Sequence, residues 1–400
     1  MMLALLLARA GVDITVLEKH GDFLRDFRGD TVHPSTLEVM HEIGALDALL
    51  QRPHDEARDV RAVIGDTQAV LADFTRLRTR CGFIALMPQW EFLDFLRDEA
   101  ARYPGFHLLM RAQATGLVET QGRVTGLRAE TPTGEIEIRA DLVIGADGRH
   151  SIIRDAAGLR VRNLGAPIDV LWMRITKRLS DPPGVVGRIG TGHFMAMLDR
   201  RTYWQCAYVI RKGGSDLLRE RGLQAFRADV VALAPFLADR IEADLASWDD
   251  IKLLSVTVDR LEQWWKPGLL CIGDAAHAMS PIGGVGINLA VQDAVAAANI
   301  LANSLANPDT PADAITPLLA KVQQRRLFPA RVTQAVQVAI QNRIFNPLLD
   351  TSRPPQVPTV VKLLNRFPVL RVLPAYAVGV GVRPEHVHSP EHAAAILRRA

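Results

Sequence analysis

The chain is poor in cysteine, in surplus charge and in long apolar runs, and each shortage narrows what it can be. Its three cysteines, Cys81, Cys206 and Cys271, are far apart and odd in number. That argues against a disulfide framework and against a cysteine-based zinc site, and suits a reducing cytoplasm. The 47 basic and 44 acidic residues leave a formal net charge of +3, too small and too dispersed for a nucleic-acid-binding face. Residues 1–10 are apolar but too short to span a bilayer. Ala8-Arg9-Ala10 imitates a cleavage site, yet the basic stretch that opens a secretory signal is missing. Residues 367–382 contain Pro368, Pro374 and two glycines, so they are not a membrane span. They are suited to closing a tunnel, touching a membrane surface or, most simply, ordinary packing. No internal repeat or low-complexity segment is present.

What remains is ordinary globular material: 400 residues, 48% hydrophobic and 23% charged, enough for two lobes and a large core. Residues 1–10 read as a buried helix ended by Gly11, feeding a strand over residues 13–17 closed by Glu18. This is the second half of a βαβ unit, so the expectation is that the chain begins inside a dinucleotide-binding motif whose first strand and glycine loop lie upstream. Helical patterns are expected over residues 35–50, 90–102 and 217–237. Strands are expected over residues 106–109, 114–120, 124–130 and 135–139, and alternating strands from 169 to 210 with a hairpin at 199–202. Beyond Ala290 the chain reads as helical, broken by Pro308, Pro311, Pro329 and Pro347.

The most informative segment is residues 269–288. Four apolar residues form a strand, Gly273 permits a tight exit, and Asp274 falls at the strand's carboxyl end, where open α/β sheets bind ligands. Pro281, Gly283, Gly284 and Gly286 then open a helix from Ile287 and Asn288 onward. Glycines there leave backbone N–H groups uncovered, and the helix dipole adds positive potential, so a negative or polarisable group belongs there. A second segment, residues 141–154, repeats the device: a buried strand ends in Gly145-Ala146-Asp147-Gly148, followed by Arg149 and Arg154. It reads equally as a ligand-facing turn or as a plain turn with solvated arginines. Glu18, at the end of the second strand of a βαβ unit, is placed for a ribose hydroxyl.

These three segments, in this order, resemble the flavoprotein aromatic hydroxylases of the p-hydroxybenzoate hydroxylase fold, and are similar to ubiquinone-biosynthesis hydroxylases. The resemblance covers about residues 2–305 and implies an α/β fold: a Rossmann-like FAD-binding lobe interleaved with an antiparallel-sheet substrate lobe and a helical C-terminal region. The first lobe would take residues 1–60, 92–160 and 255–310, the second 61–91 and 161–254, the third 311–400. Carried over residue by residue, Glu18 would bind the adenosine ribose, Arg28 would contact FAD near the flavin, and Gln89 would touch the ribityl or diphosphate. Asp147 and Gly148 would serve FAD and the nicotinamide donor together. Gly273 and Asp274 would hold the ribityl or diphosphate part, while Pro281 and the backbone of Gly284, Gly286, Ile287 and Asn288 would face the isoalloxazine. The implied reaction is an NADPH- or NADH-consuming, O₂-dependent hydroxylation of an aromatic or polycyclic small molecule through a flavin C4a-hydroperoxide. The protein would orient and shield while the cofactor does the chemistry. A flavin-dependent reductase and a non-catalytic flavin-fold remnant are the alternatives; a halogenase would want a Trp-x-Trp-x-x-Ile element that is not in the sequence.

Several further residues have two readings each. Trp204, Cys206 and Tyr208 share one face of a strand, with Trp172 on a neighbouring run; they suit an aromatic-substrate pocket or a sheet packed on a helix. His277 is a proton carrier or a spacer. His386, His388 and His392 fit no metal spacing and read as a solvated tail. Arg325 and Arg326 read as a solvated helix face.

Overall fold

The helix Met2–Arg9 buries every side chain from Met2 to Ala8. A helix apolar on all sides belongs inside a protein. Leu5, Leu6 and Leu7 pack with Phe92, Phe95 and Leu96 of the helix Gln89–Ala100 and with Val291, Val295 and Ala298 of the helix Gly286–Ala306, forming the largest core cluster. The computed structural model describes residues 1–24 and 31–392. The long helix is apolar enough to cross a membrane by length and composition, but its most apolar stretch is 67% buried and serves as a core helix.

Around this core lie short parallel strands. Ile14–Glu18 pairs in parallel with Phe106–Met110, and Val143–Gly145 pairs in parallel with Leu269–Cys271, Gly145 opposite Cys271. A Cβ on Gly145 would meet the Cys271 sulfur at 2.9 Å, so glycine is what allows these two strands to close up. An antiparallel meander, Gln113–Thr120, Arg123–Thr131 and Gly134–Arg139, packs beside them.

The second large unit is a seven-stranded sheet in the order Lys252–Leu254, Ile168–Thr176, Tyr203–Arg211, His193–Asp199, Val185–Gly190, Asp59–Ile64, Thr67–Asp73. All its pairings are antiparallel except Val185–Gly190 with Asp59–Ile64. Side chains alternate between its faces. Leu171, Met173, Cys206 and Tyr208 point to one face, under the helices Ser215–Arg221, Leu223–Leu233 and Ile241–Asp244. Val170, Trp172, Phe194, Ala196, Ala207 and Val209 point to the other, toward Ile282 and Phe345.

Three expectations change. Residues 35–50 form two helices, Pro34–Glu42 and Leu46–Leu50, because Gly44 takes φ +73° between them. Residues 217–237 divide likewise at Gly222, φ +88°. Pro329 does not break its helix: Ala312–Ile340 runs through both Pro317 and Pro329. An interior proline costs a helix about 3 kcal/mol. Buried Ile315, Leu319, Val322 and Ala330 supply the tertiary packing that outweighs it.

Candidate functional site

The strand Leu269–Cys271 is fully buried and exits through Gly273 at φ +59°. A Cβ on Gly273 would come within 3.1 Å of that of Ala290, so the loop sits tight against the long helix. Because Leu269–Cys271 and Val143–Gly145 run in parallel register, the loops after them emerge side by side. Asp274 and Arg149 meet there: Arg149 Nη2 donates to Asp274 Oδ2 at 3.5 Å, and both side chains are partly exposed. Two acid-bearing turns 125 residues apart thus become one rim.

Asp147 follows the strand Val143–Gly145 and is bonded within its own loop. Its Oδ1 accepts from Ser151 Oγ at 2.5 Å and its Oδ2 from the Ile153 amide at 3.1 Å, so it closes its own loop and holds Ser151, which caps the helix Ile152–Ala156. Gly148 turns at φ +85°. Arg154 is buried, not solvated, and donates to the Arg149 carbonyl at 2.9 Å. Glu18 ends its strand and accepts the His20 amide at 2.9 Å; its charge is felt at the amino end of the first helix. Gln89 is the half-buried first residue of its helix. Arg28 lies outside the described residues.

Pro281 leads into Gly283 (φ +79°) and Gly284 (φ +64°). A Cβ on Gly284 would lie 2.6 Å from Thr31 Oγ1. The helix Gly286–Ala306 that follows has no side-chain cap, so the amides of Gly286, Ile287 and Asn288 in its first turn lack partners within the helix. Asn288 itself is a clamp. Its Oδ1 accepts from the His33 amide (2.9 Å) and Thr36 Oγ1 (2.7 Å), while its Nδ2 donates to the carbonyls of Thr31 and Gly284. His33 is buried, donates from Nδ1 to the Val378 carbonyl at 2.8 Å, and is held neutral because burial lowers its pKa to about 4.

The loop is fixed by Asp293, which no motif singles out, together with His277 and Arg326. Asp293 Oδ2 accepts both the Gly273 amide (3.0 Å) and His277 Nε2 (2.6 Å), and Asp293 Oδ1 accepts from Arg326 Nε (2.9 Å). Burial alone would raise the Asp293 carboxyl; His277 and Arg326 overcome that and hold it below its ordinary value. Arg326 is 1% exposed, against the expected solvated face, and together with Arg325 it binds Glu385. The tail is accordingly pinned: His386 pairs with Glu42, and the His388 amide donates to Asn299. Gln334, Gln337 and Gln341 form an amide ladder along one helix face. They bond the Ala278 carbonyl, the Ser280 amide and carbonyl, the Ile282 carbonyl and the Ser280 hydroxyl. An i, i+3, i+7 glutamine spacing is the signal that would have found them.

Trp172, Trp204 and Tyr208 do not share a wall. Trp172 faces Ala207 across the sheet and projects with Phe194 and Phe345, whose rings meet edge to face at 4.8 Å. Trp204 and Tyr208 lie under the helices on the opposite face, Trp204 donating to Asp181 and Tyr208 bonding His193. Period-two alternation places Trp204 and Tyr208 together, but which face meets a helix is decided by segments far away in sequence.

A strand-end acid, a loop of glycines and a long helix with an uncapped start define a flavin-binding fold. Residues 1–335 match the FAD binding domain family, and the chain belongs to that family, whose members related to it include FAD-dependent monooxygenases. It is 31% identical to the 6-methylpretetramide 4-monooxygenase of Streptomyces rimosus over 92% of this chain and 87% of that one. It is 25% identical to the dialkyldecalin synthase of Streptomyces rugosporus over 74% of this chain, and spans 61% of that protein's length. Among solved structures, PqsL, a probable FAD-dependent monooxygenase from Pseudomonas aeruginosa, aligns with a TM-score of 0.70 at 20% identity, covering 88% of this chain and 96% of that one. The cofactor of this enzyme is FAD. The donor set fits it: three backbone amides at an uncapped helix start, reached through glycines at positive φ, suit the electron-rich edge of a flavin ring.

Proposed function

We propose that the enzyme uses NADPH or NADH and O₂ to hydroxylate an aromatic or polycyclic small molecule. The observation that carries this reading is the position of Ile282. It packs in one cluster with Trp172, Phe194 and Phe345, and its neighbours Gly283 and Gly284 open onto the uncapped helix. A flat ring lying on that apolar face therefore borders the glycine cradle. When bound and reduced, FAD supplies the activation of O₂. The chain's residues bind, orient and exclude water. Glu18 is assigned to the adenosine ribose; Gln89, Gly273 and Asp274, with Arg149 beside it, to the ribityl and diphosphate; Arg28 to the flavin's vicinity; Asp147 and Gly148 to shaping the adjoining loop. Pro281 and the backbone of Gly284, Gly286, Ile287 and Asn288 face the isoalloxazine, where the helix dipole favours negative charge at the ring edge. Trp172 is assigned to the substrate wall. The S. rimosus relative is by name a monooxygenase of a small molecule, which supports the substrate class. Three free, buried cysteines support a cytoplasmic setting.

The test is oxygen uptake by FAD-loaded protein with NADPH or NADH. Uptake should rise when a library of phenols and polycyclic phenols is added, with label from ¹⁸O₂ entering the product. Reduction of a substrate without oxygen insertion would instead establish the reductase, and FAD-loaded protein that consumes neither NADPH nor NADH with any of these compounds would favour the non-catalytic remnant.

A further inference from the structure

The C-terminal helices turn apolar side chains away from the protein. On the helix Thr359–Arg366 the buried residue is Val361, which packs with Ala62, Ile64 and Ala69. Val360, Leu363 and Phe367 recur at helical spacing on another side and are 61%, 45% and 50% exposed. The stripe continues over the turn Pro368–Arg371 to the helix Val372–Gly379, where Val369, Leu373 and Tyr376 are 62%, 65% and 50% exposed. Amphipathic helices ordinarily turn this stripe inward, and monomers seldom leave a contiguous run of this kind to water. The segment is anchored, because Val372, Ala375 and Val378 pack with Phe74 and Leu77 on its inner side.

The charge here is of one sign. Between Asp350 and Glu385 the chain has five basic residues, Arg353, Lys362, Arg366, Arg371 and Arg383, and no acid. That exceeds the formal net charge of the whole chain, +3. Lys362 and Arg366 stand one turn apart beside the apolar stripe, and among the described residues neither pairs with a carboxylate. Arg52, Arg61 and Arg97 elsewhere on the chain are paired with aspartates. Unpaired cations bordering exposed Leu, Val, Phe and Tyr match the two layers of an anionic membrane interface, phosphate above and acyl chain below.

We propose that this face docks the enzyme on the surface of an anionic lipid bilayer. Leu363, Phe367, Val369 and Leu373 enter the acyl boundary, and Lys362 and Arg366 reach the phosphates. The docked face abuts the candidate site: Val378, on the same helix, accepts the His33 bond and lies 3.9 Å from the position of a Cβ on Gly283.

The experiment is sedimentation of the full-length, FAD-loaded protein with phosphatidylcholine vesicles, with and without an equal share of phosphatidylglycerol, at low and high salt. The expected result is sedimentation with the anionic vesicles that weakens as salt rises. Lys362→Gln and Arg366→Gln should each weaken it about fivefold. The triple variant Leu363→Ser, Phe367→Ser, Leu373→Ser should abolish it, with unchanged circular dichroism and melting temperature in all variants. Wild-type protein left in the supernatant with both vesicle types overturns the proposal, as does undiminished sedimentation of the triple variant. A stable dimer in light scattering that does not sediment, and that the triple variant splits, overturns it in favour of a second copy of the chain.

Discussion

One carboxylate oxygen of Asp293 holds both the amide of Gly273, at 3.0 Å, and the Nε2 of His277, at 2.6 Å. The glycine that precedes Asp274 is therefore positioned by a residue on the next helix, not by the loop itself. The other oxygen takes Arg326, and all three side chains are almost wholly buried.

Asp293→Ala should cost about 3 kcal/mol, because it leaves the buried Arg326 guanidinium with Glu385 as its one remaining carboxylate among the described residues and strips the Gly273 amide and His277 of their acceptor. Asp293→Asn should cost less and still release FAD faster on dialysis, since the Gly273 turn loses its ionic acceptor. The pH dependence has a definite sign. The folded pKa of Asp293 is lowered from 3.8, so its contribution is present above that value and disappears as pH falls through the folded pKa. Acid unfolding followed by circular dichroism should be less steep in Asp293→Asn below about pH 4 than in the wild type. Equal steepness would remove Asp293 from the acid response.

His33 titrates in a different window. Burial lowers its pKa from 6.5 to about 4, against the opposing bond to Val378. The unfolded chain then binds more protons between these values, so stability is full above pH 6.5 and falls as pH drops toward 4, by roughly 3 kcal/mol in all. Denaturant midpoints measured across that range should show this slope in the wild type and a flatter one in His33→Gln. Because His33 donates to the C-terminal helix and its amide is held by Asn288, the loss of stability should be accompanied by loss of flavin from the glycine loop.

Gly284→Ala and Asp274→Ala should separate strain from ligand contact. The first forces a side chain to φ +64° and to 2.6 Å from Thr31 Oγ1, so about 1–3 kcal/mol of stability should be lost together with FAD occupancy. Asp274 is a third exposed and its pairing with Arg149 is long, so its removal should change stability by less than about 0.5 kcal/mol while lowering FAD content. Melting curves and the flavin-to-protein absorbance ratio read both. Unchanged FAD content in Asp274→Ala would remove that residue from the cofactor site.

Local signals in the sequence survive in the fold. The strand before Gly273, the glycines at 283, 284 and 286, and the meander over residues 113–139 each rest on neighbours close in the chain, and each was legible. Partnerships across the chain were not. Nothing near Arg326 says that a carboxylate on another helix and a tail glutamate will bury it. Gln334, Gln337 and Gln341 look like a polar helix face until the Ser280 segment lies against them. Pro329 reads locally as a break, because the core that overrides it is assembled from distant segments.

The faces of the seven-stranded sheet make the last expectation. Trp172 projects toward Ile282 and Phe345, whereas Trp204 and Tyr208 project under the helices, so substitutions on the two sides should produce opposite patterns. Trp172→Phe keeps an aromatic of smaller area on the apolar face. It should alter substrate KM and the product formed per NAD(P)H consumed, with little change in melting temperature. Trp204→Phe removes the indole donor to Asp181, which also carries the buried Arg240 pair, and should cost about 1–3 kcal/mol. Tyr208→Phe removes the bond to His193 Nδ1 and should likewise act on stability alone. Coupling ratios and melting curves on the three variants decide the matter. A changed coupling ratio in Tyr208→Phe, with none in Trp172→Phe, would move the substrate to the helix-covered face and overturn the assignment of Ile282 as the junction between ring and flavin.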